Sequence, residues 1–236
     1  YTGVTGTYEL LETELEALPA RVEAMRSTFA GSNVTIPHKI AVMPMLDSIA
    51  PEAQAIGAVN TIKFTEAGAF GYNTDYFGFG RMLEYNDIAI AGKVAVVLGS
   101  GGAARAVMKY LADKEAAQIY LVTRDVSSVD EHFLEIAPSC KVIGYAELES
   151  IKGDVIINCT PVGMFPKVEA APVSAKVCAN FEAAVDLIYN PAETLFLRQA
   201  KEAGKKYVNG LFMLVAQAVA AQEIWQGQQY DSDLIV

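Results

Sequence analysis

The chain has 236 residues, enough for one large domain or two small ones at roughly 150 residues each. Hydrophobic residues make up 52% and charged residues 19%, so there is material for a core and no case for a disordered chain. Eighteen Lys and Arg against 28 Asp and Glu give a formal charge of -10, which argues against a general nucleic-acid or anionic-membrane surface. The mean hydropathy of +0.24 raises the question of a membrane span. The most apolar run, Leu211 to Ala221, is broken by Gln217 and falls short of the roughly 18 residues a spanning helix needs. Cys140, Cys159 and Cys178 are odd in number and lack C-x-x-C spacing, so the expectation is buried thiols in a reducing cytoplasm, with no disulfide and no metal site. The chain opens at Tyr1 without Met and without a basic-then-apolar leader, and is expected to lack an N-terminal portion.

In chain order, Tyr8 to Leu11 reads as a strand, and Glu14 to Arg26 as a helix with Leu15, Leu18, Val22 and Met25 three or four apart. Ser32 to Ile36 is a short β-branched stretch, and Pro37 suits the first turn of the helix after it. Ala50-Pro51 opens another short helix. Ala58 to Phe64 and Ala69 to Asn73 flank Thr65-Glu-Ala-Gly68 and predict a hairpin with a four-residue loop. A helix follows from about Asp75 to Glu84. From Lys93 the rhythm changes. Apolar strands at Val94–Leu98, Ile119–Val122, Lys141–Ile143, Val155–Asn158 and Ala183–Leu187 alternate with a helix at Ala103–Leu111 and helical or turn-rich links. Such alternation predicts an α/β chain with a parallel sheet covered on both faces. The last helix, Gly210 to Gln226, is apolar on nearly every side and should lie between two layers, returning to the first part of the chain.

Leu98-Gly-Ser-Gly-Gly-Ala-Ala104 leaves one of these strands and opens a helix. Gly99, Gly101 and Ala104 match G-x-G-x-x-G/A, in which the glycines allow a tight turn and let the backbone approach a pyrophosphate. This predicts a Rossmann-like, doubly wound dinucleotide-binding unit. At the end of the next strand, Val122-Thr-Arg-Asp125 offers both an acid, which prefers the 2′-OH of NAD, and an arginine, which prefers the 2′-phosphate of NADP. Arg124 tips the balance towards NADP.

Outside that unit, Asn33-Val-Thr-Ile-Pro-His-Lys39 sets a lysine at the start of a helix, and Asn73-Thr-Asp75 sets a carboxylate at the end of the hairpin. A lysine in the first turn sits at the positive end of the helix dipole, which disfavours its charged form and moves it towards proton transfer near neutral pH. An anionic neighbour such as Asp75 would pull the other way and keep it charged. Asn60 in a strand and Gln217 in an apolar helix are costly unless paired, and together they point to a polar small-molecule pocket.

Seven blocks now carry a resemblance over essentially the whole length: Asn33 to Lys39, Gly57-Ala-Val-Asn-Thr61, Asn73-Thr-Asp75 with Gly78, Gly99 to Ala104, Asn158-Cys-Thr-Pro-Val-Gly-Met164, Asp186-Leu-Ile-Tyr-Asn-Pro191, and Asn209-Gly-Leu-Phe-Met-Leu214 with Gln217. In that order they resemble the quinate/shikimate dehydrogenase family. The resemblance implies reversible reduction of 3-dehydroshikimate to shikimate with NADPH, in aromatic amino-acid biosynthesis. It implies Lys39 as the acid/base residue with Asp75 as its partner, and Thr35, Asn60, Asp75, Tyr189 and Gln217 as substrate contacts. The cofactor would lie on Gly99, Ser100, Gly101, Gly102 and Ala103, on Thr123, Arg124 and Ser128, and near Leu187 and Gly210. The change of rhythm, with a boundary near Phe77 to Lys93, and the returning last helix divide the chain into a substrate-binding catalytic domain over 1–80, completed by 210–236, and a dinucleotide-binding domain over 81–209.

Two departures from the family pattern stand out. The family's Ser-x-Ser segment, which anchors the substrate carboxylate, has no match here and is expected upstream of Tyr1. The second basic residue of the 2′-phosphate loop is absent, since Ser127, Ser128, Val129 and Asp130 follow Asp125. NADP preference is therefore expected to be weaker than usual, with NAD use open. His38 is read as an aromatic position of the motif and His132 as a surface residue. The expected partners are small molecules, not nucleic acid or membrane, acting on a cytoplasmic monomer or homodimer. Two other readings stay open: a quinate/shikimate dehydrogenase using NAD, and a non-catalytic nucleotide-binding regulator.

Overall fold

Two sheets share out the strands in the computed structural model, which describes residues 5–35 and 37–230. The first contains β1 (Gly31–Asn33), β2 (Ser48–Ile49), β3 (Thr61–Thr65) and β4 (Gly68–Tyr72) in the order β1-β3-β4-β2. β3 and β4 form the expected hairpin, but Thr65 pairs with Gly68, so the loop is the two residues Glu66 and Ala67 rather than four. Gly68 sits at φ 133, a conformation L side chains rarely adopt, and that lets the turn tighten. The short helices α1 (Leu18–Met25), α2 (His38–Ala41) and α3 (Pro51–Ile56) accompany this sheet. α1 buries Leu18, Val22 and Met25, while Leu15 stays half exposed on a preceding 3-10 turn. α3 begins at Pro51 and stops at Gly57, whose left-handed φ of 68 ends the helix.

The second sheet contains β5 (Val94–Leu98), β6 (Gln118–Thr123), β7 (Lys141–Gly144), β8 (Gly153–Asn158), β9 (Phe181–Asp186) and β10 (Lys206–Val208). All six are parallel, in the order β10-β9-β8-β5-β6-β7. Along β5, Ala95 and Val97 join one core and Val96 and Leu98 the other, which is why the strand reads as an unbroken apolar run. The first core is covered by α4 (Thr74–Tyr85), α5 (Gly102–Asp113) and α6 (His132–Ile136). The second is covered by α7 (Tyr145–Leu148), α8 (Ala175–Cys178) and α9 (Leu195–Glu202). The expected α/β class and Rossmann-like parallel sheet are both present. The chain leaves β5 in one direction and returns at β8 on its other side, a switch point at which doubly wound sheets bind ligands.

α4 and the last helix, α10 (Leu211–Gln226), join the two layers. A Cβ on Gly78 would lie 2.9 Å from the Met213 carbonyl, so glycine there lets the two helices approach closely. α10 is tied to the first sheet where Trp225 Nε1 donates to Ile62 O (2.9 Å) and Lys63 Nζ donates to Ile224 O (2.6 Å). Its start belongs to the second sheet, with Met213 in that core and Phe212 stacked on Tyr85. The helix does touch both layers. Its apolar surface is only partly covered, though, and Leu211 remains half exposed.

Several expectations are corrected. Tyr8 to Leu11 forms no strand: Tyr8 and Leu10 are exposed, and no ladder among the described residues takes up their backbone. The Ser32–Ile36 stretch contributes only Ser32 and Asn33 to β1, and Ile36 lies outside the described residues. The helix expected over Glu14 to Arg26 is split, its first turn being 3-10. Pro37 stands just before α2 rather than within it. The short strands β2 and β10 went unforeseen because three residues or fewer show no periodicity. Cys140 and Cys178 are buried and Cys159 is partly so, and all three are free thiols. Among the described residues no helix is long and apolar enough to cross a membrane.

Candidate active site

Three local structures bring the polar residues of the first layer together. Asn73 caps α4, its Oδ1 accepting from the Asp75 N–H at 3.1 Å and the Tyr76 N–H at 3.4 Å, and its own amide donates to Ala58 O. Asp75 is thereby held in the first turn of α4, where a carboxylate also meets the positive end of the helix. The Lys39 carbonyl accepts from Val59 N (2.8 Å), which fastens α2 to the segment leading into β3. The two side chains then meet, with Lys39 Nζ 2.7 Å from Asp75 Oδ2 and both largely withdrawn from solvent.

Asn60 is 4% exposed and lies just before β3. Its Oδ1 accepts from Thr74 N (2.7 Å), Thr61 Oγ1 (3.0 Å) and Thr74 Oγ1 (3.2 Å), so the buried amide oxygen is satisfied and ties α4 to β3. Thr35 is exposed beside it, since Val34 N donates to Asn60 O at 2.8 Å. Gln217 reaches the same neighbourhood from α10. Its Cβ and backbone N pack on Gly78, three residues after Asp75 and on the same helical face. Lys39, Asp75, Asn60, Thr35 and Gln217 are therefore gathered into one region. Tyr189 rides the loop after β9, half exposed, and no hydrogen bond among the described residues links it to this cluster.

The dinucleotide side is built at the switch point between β5 and β8. Gly99 stands at φ 93, and a Cβ there would come within 2.7 Å of Thr160 Cγ2, so both conformation and packing demand glycine. Gly101 and Gly102 would place a Cβ in open space, and α5 starts at Gly102 with Gly101 as its cap. Free backbone N–H groups at the start of a twelve-residue helix, facing room that glycine leaves clear, fit the phosphates of a dinucleotide. Ser100 and Ala103 lie in the same turn. Beyond β6, Arg124 is exposed and has no ion-pair partner among the described residues. Asp125 is engaged through one oxygen within its own turn. Its Oδ1 accepts from Ser127 N (3.0 Å) and Ser127 Oγ (2.6 Å), and those bonds hold its carboxyl below the usual range. Ser128 Oγ and Thr123 Oγ1 both donate to Asp125 O and shape the same turn. Leu187 and Gly210 are neighbours: a Cβ on Gly210 would run into the Leu187 carbonyl, and Gly210 N donates to Ile188 O (3.0 Å).

The two halves abut through α3 and α5: Ile56 and Ala58 pack on Ala106, one turn into the helix that the phosphate loop opens. Gly57 fits between Arg105 and His132, whose Nδ1 lies 2.8 Å from Glu135 Oε2. His132 is thus a half-buried residue of this contact rather than a surface one. His38 Nε2 is 2.8 Å from Thr13 O, a structural tether to the N-terminal segment. No cluster of three potential metal ligands occurs among the described residues.

One buried carboxylate has no part in the roles assigned so far. Asp186 is fully buried at the end of β9, hydrogen-bonded to Asn158, Thr194 and the Ile188 N–H, and burial pushes it up to about 6. The available signal was a charged or amide residue closing an otherwise apolar strand, as in Ala183-Ala-Val-Asp186 and Val155-Ile-Ile-Asn158.

A family model described as the shikimate dehydrogenase substrate binding domain matches residues 1–62. A shikimate dehydrogenase (NADP(+)) from Clostridium beijerinckii is 46% identical over 235 residues, spanning 98% of this chain and 85% of that protein. Among solved structures, a chorismate mutase/shikimate 5-dehydrogenase fusion protein from Clostridium acetobutylicum is 51% identical with a TM-score of 0.93, over 99% of this chain and 86% of that one. The shikimate 5-dehydrogenase of Thermus thermophilus, solved in complex with NADP(H) and shikimate, is 38% identical with a TM-score of 0.86, over 99% and 87%.

Proposed function

This chain belongs to the shikimate dehydrogenase family, and from that premise we propose that it catalyses the reversible, NADP(H)-dependent interconversion of 3-dehydroshikimate and shikimate. The observation that carries the reading is the Lys39–Asp75 pair, 2.7 Å apart and sheltered beside a set of satisfied polar groups. When bound, the nicotinamide supplies or accepts the hydride; the remaining work falls to the chain. Lys39 Nζ gives a proton to the carbonyl oxygen in reduction and takes it from the hydroxyl in oxidation. Asp75, fixed by the Asn73 cap, aims the ammonium and leaves it fewer orientations to search. Thr35, Asn60, Gln217 and Tyr189 hold the substrate hydroxyls. Gly99 to Ala103 hold the pyrophosphate, Arg124 with Thr123 and Ser128 the 2′-phosphate turn, and Leu187 and Gly210 the nicotinamide end.

On this reading residues 1–80 and 210–236 form the substrate domain and 81–209 the cofactor domain. The enzyme works in the cytoplasm on small molecules, as a monomer or homodimer, without nucleic-acid or membrane partners. Retention of Lys39 and Asp75 speaks against a purely regulatory nucleotide binder, which has no use for a proton-transfer pair. The test is steady-state kinetics with shikimate and quinate against NADP+ and NAD+. The highest kcat/KM is expected for shikimate with NADP+, with NAD+ measurable because one cation alone faces the 2′-phosphate. Absence of cofactor reduction in all four combinations would overturn the reading.

A further inference from the structure

We propose that Asp186 is a positioning residue for the nicotinamide half of the cofactor site: its buried carboxylate locks the loops after β8 and β9 into the single shape that half requires. The inference rests on the dehydrogenase reading above. Asp186 ends β9 with no exposed surface. Its Oδ1 accepts from the Ile188 N–H and from Asn158 Nδ2, each at 3.0 Å, and its Oδ2 accepts from Thr194 Oγ1 at 2.6 Å. All three partners donate, which is what an anion needs and what a neutral amide satisfies only by turning its NH2 towards the Thr194 oxygen.

From these three bonds the order spreads to every loop on that side of the switch point. Asn158, itself fully buried, accepts from Thr160 N (3.0 Å) and Thr160 Oγ1 (2.6 Å), and Thr160 packs on Gly99 of the phosphate loop. Thr194 caps α9 by accepting from Leu197 N. Ile188, held by the carboxylate, passes its carbonyl to Gly210 at the start of α10. Leu187 and Tyr189 sit on either side of Ile188, so the carboxylate sets the course of the backbone that carries both.

Strand order decides which half of the dinucleotide is concerned. Arg124, the cation suited to the 2′-phosphate, follows β6 on one side of the phosphate loop. β8 and β9 lie on the other side, where the nicotinamide end of a molecule crossing the switch point must fall. A cost accompanies the arrangement, since burial pushes the Asp186 carboxyl up to about 6 and an ionised group at neutral pH burdens the fold. A group that burdens the fold yet organises the cofactor loops is accounted for by binding rather than by stability.

The experiment measures affinities of Asp186→Asn and wild type for NADP+ and for 2′,5′-ADP, which carries the phosphorylated adenosine half alone. The substitution should weaken NADP+ by about tenfold or more and lower kcat/KM for shikimate, while leaving 2′,5′-ADP within about twofold and Tm at pH 7.5 no lower than wild type. Thr194→Val, which removes the Oδ2 bond together with the Leu197 N–H cap of α9, should show the same pattern to a smaller degree, and its NADP+ against 2′,5′-ADP comparison decides the matter if Asp186→Asn does not fold. Unchanged NADP+ affinity overturns the proposal, as does equal weakening of both ligands, which would mark a general loosening. A wild-type protein that neither binds NADP+ nor oxidises shikimate would instead sink the dehydrogenase reading.

Discussion

The Lys39–Asp75 cluster and the glycine-lined crevice at the switch point, the proposed proton-transfer and cofactor sites, are assembled by different means. Lys39 and Asp75 are 36 residues apart and meet because hydrogen bonds at Val59 N, Ala58 O and Asn60 Oδ1 draw α2, the approach to β3 and α4 to one place. The phosphate loop is contiguous, Gly99 to Ala103, and needs only a strand behind it and a helix ahead. The Lys39–Asp75 pair keeps some exposure at the lysine, whereas Asp186 beside the crevice is hidden completely. The contrast teaches that a reacting pair must stay reachable, while a group that only sets the shape of loops gains from burial, because its hydrogen bonds then have no competition from water.

The sharpest way to break this comparison is Lys39→Ala. Loss of the general acid should lower kcat by about 10²- to 10⁴-fold with NADP+ affinity retained; unchanged kcat would take Lys39 out of the chemistry. Next comes the pH dependence of Asp186. Its folded value of about 6 lies above the ordinary 3.8, so between the two the folded chain holds a proton that the unfolded chain has released. Stability from this group therefore declines as pH rises through that window, by about 3 kcal/mol in total. The Cys159 thiol that faces it is pushed up by burial and does not titrate there. Denaturant midpoints from pH 4 to 7.5 should show that decline in wild type relative to Asp186→Asn, and parallel curves would refute it.

Smaller effects sharpen the contrast further. Arg124→Ala should raise KM for NADP+ by about 10- to 100-fold and barely change KM for NAD+, since only the former carries a 2′-phosphate. An equal rise for both would show that the arginine contacts a shared part of the molecule. Gly78→Ala puts a methyl group 2.9 Å from Met213 O and should destabilise the α4–α10 contact by about 1–3 kcal/mol. A Tm equal to wild type would mean the helices separate without penalty.

Legibility in the residues followed range of interaction. The parallel strands β5, β6 and β8, the phosphate turn and the helix α5 were readable because unbroken apolar runs, glycines and a following helix are local signals. The seven blocks in family order also named Lys39 and Asp75, but no local rule brings a lysine on a four-residue helix to a carboxylate 36 positions on. That meeting, the two-residue turn at Glu66 and Ala67, and the failure of Tyr8 to Leu11 to form a strand were set by which neighbours the folded chain offers. Asp186 makes the same point most strongly. Its type and position were plain, yet its burial, its three donors and its displaced proton affinity exist only once β8, β9 and α9 close around it, because desolvation belongs to the packed molecule and not to any residue alone.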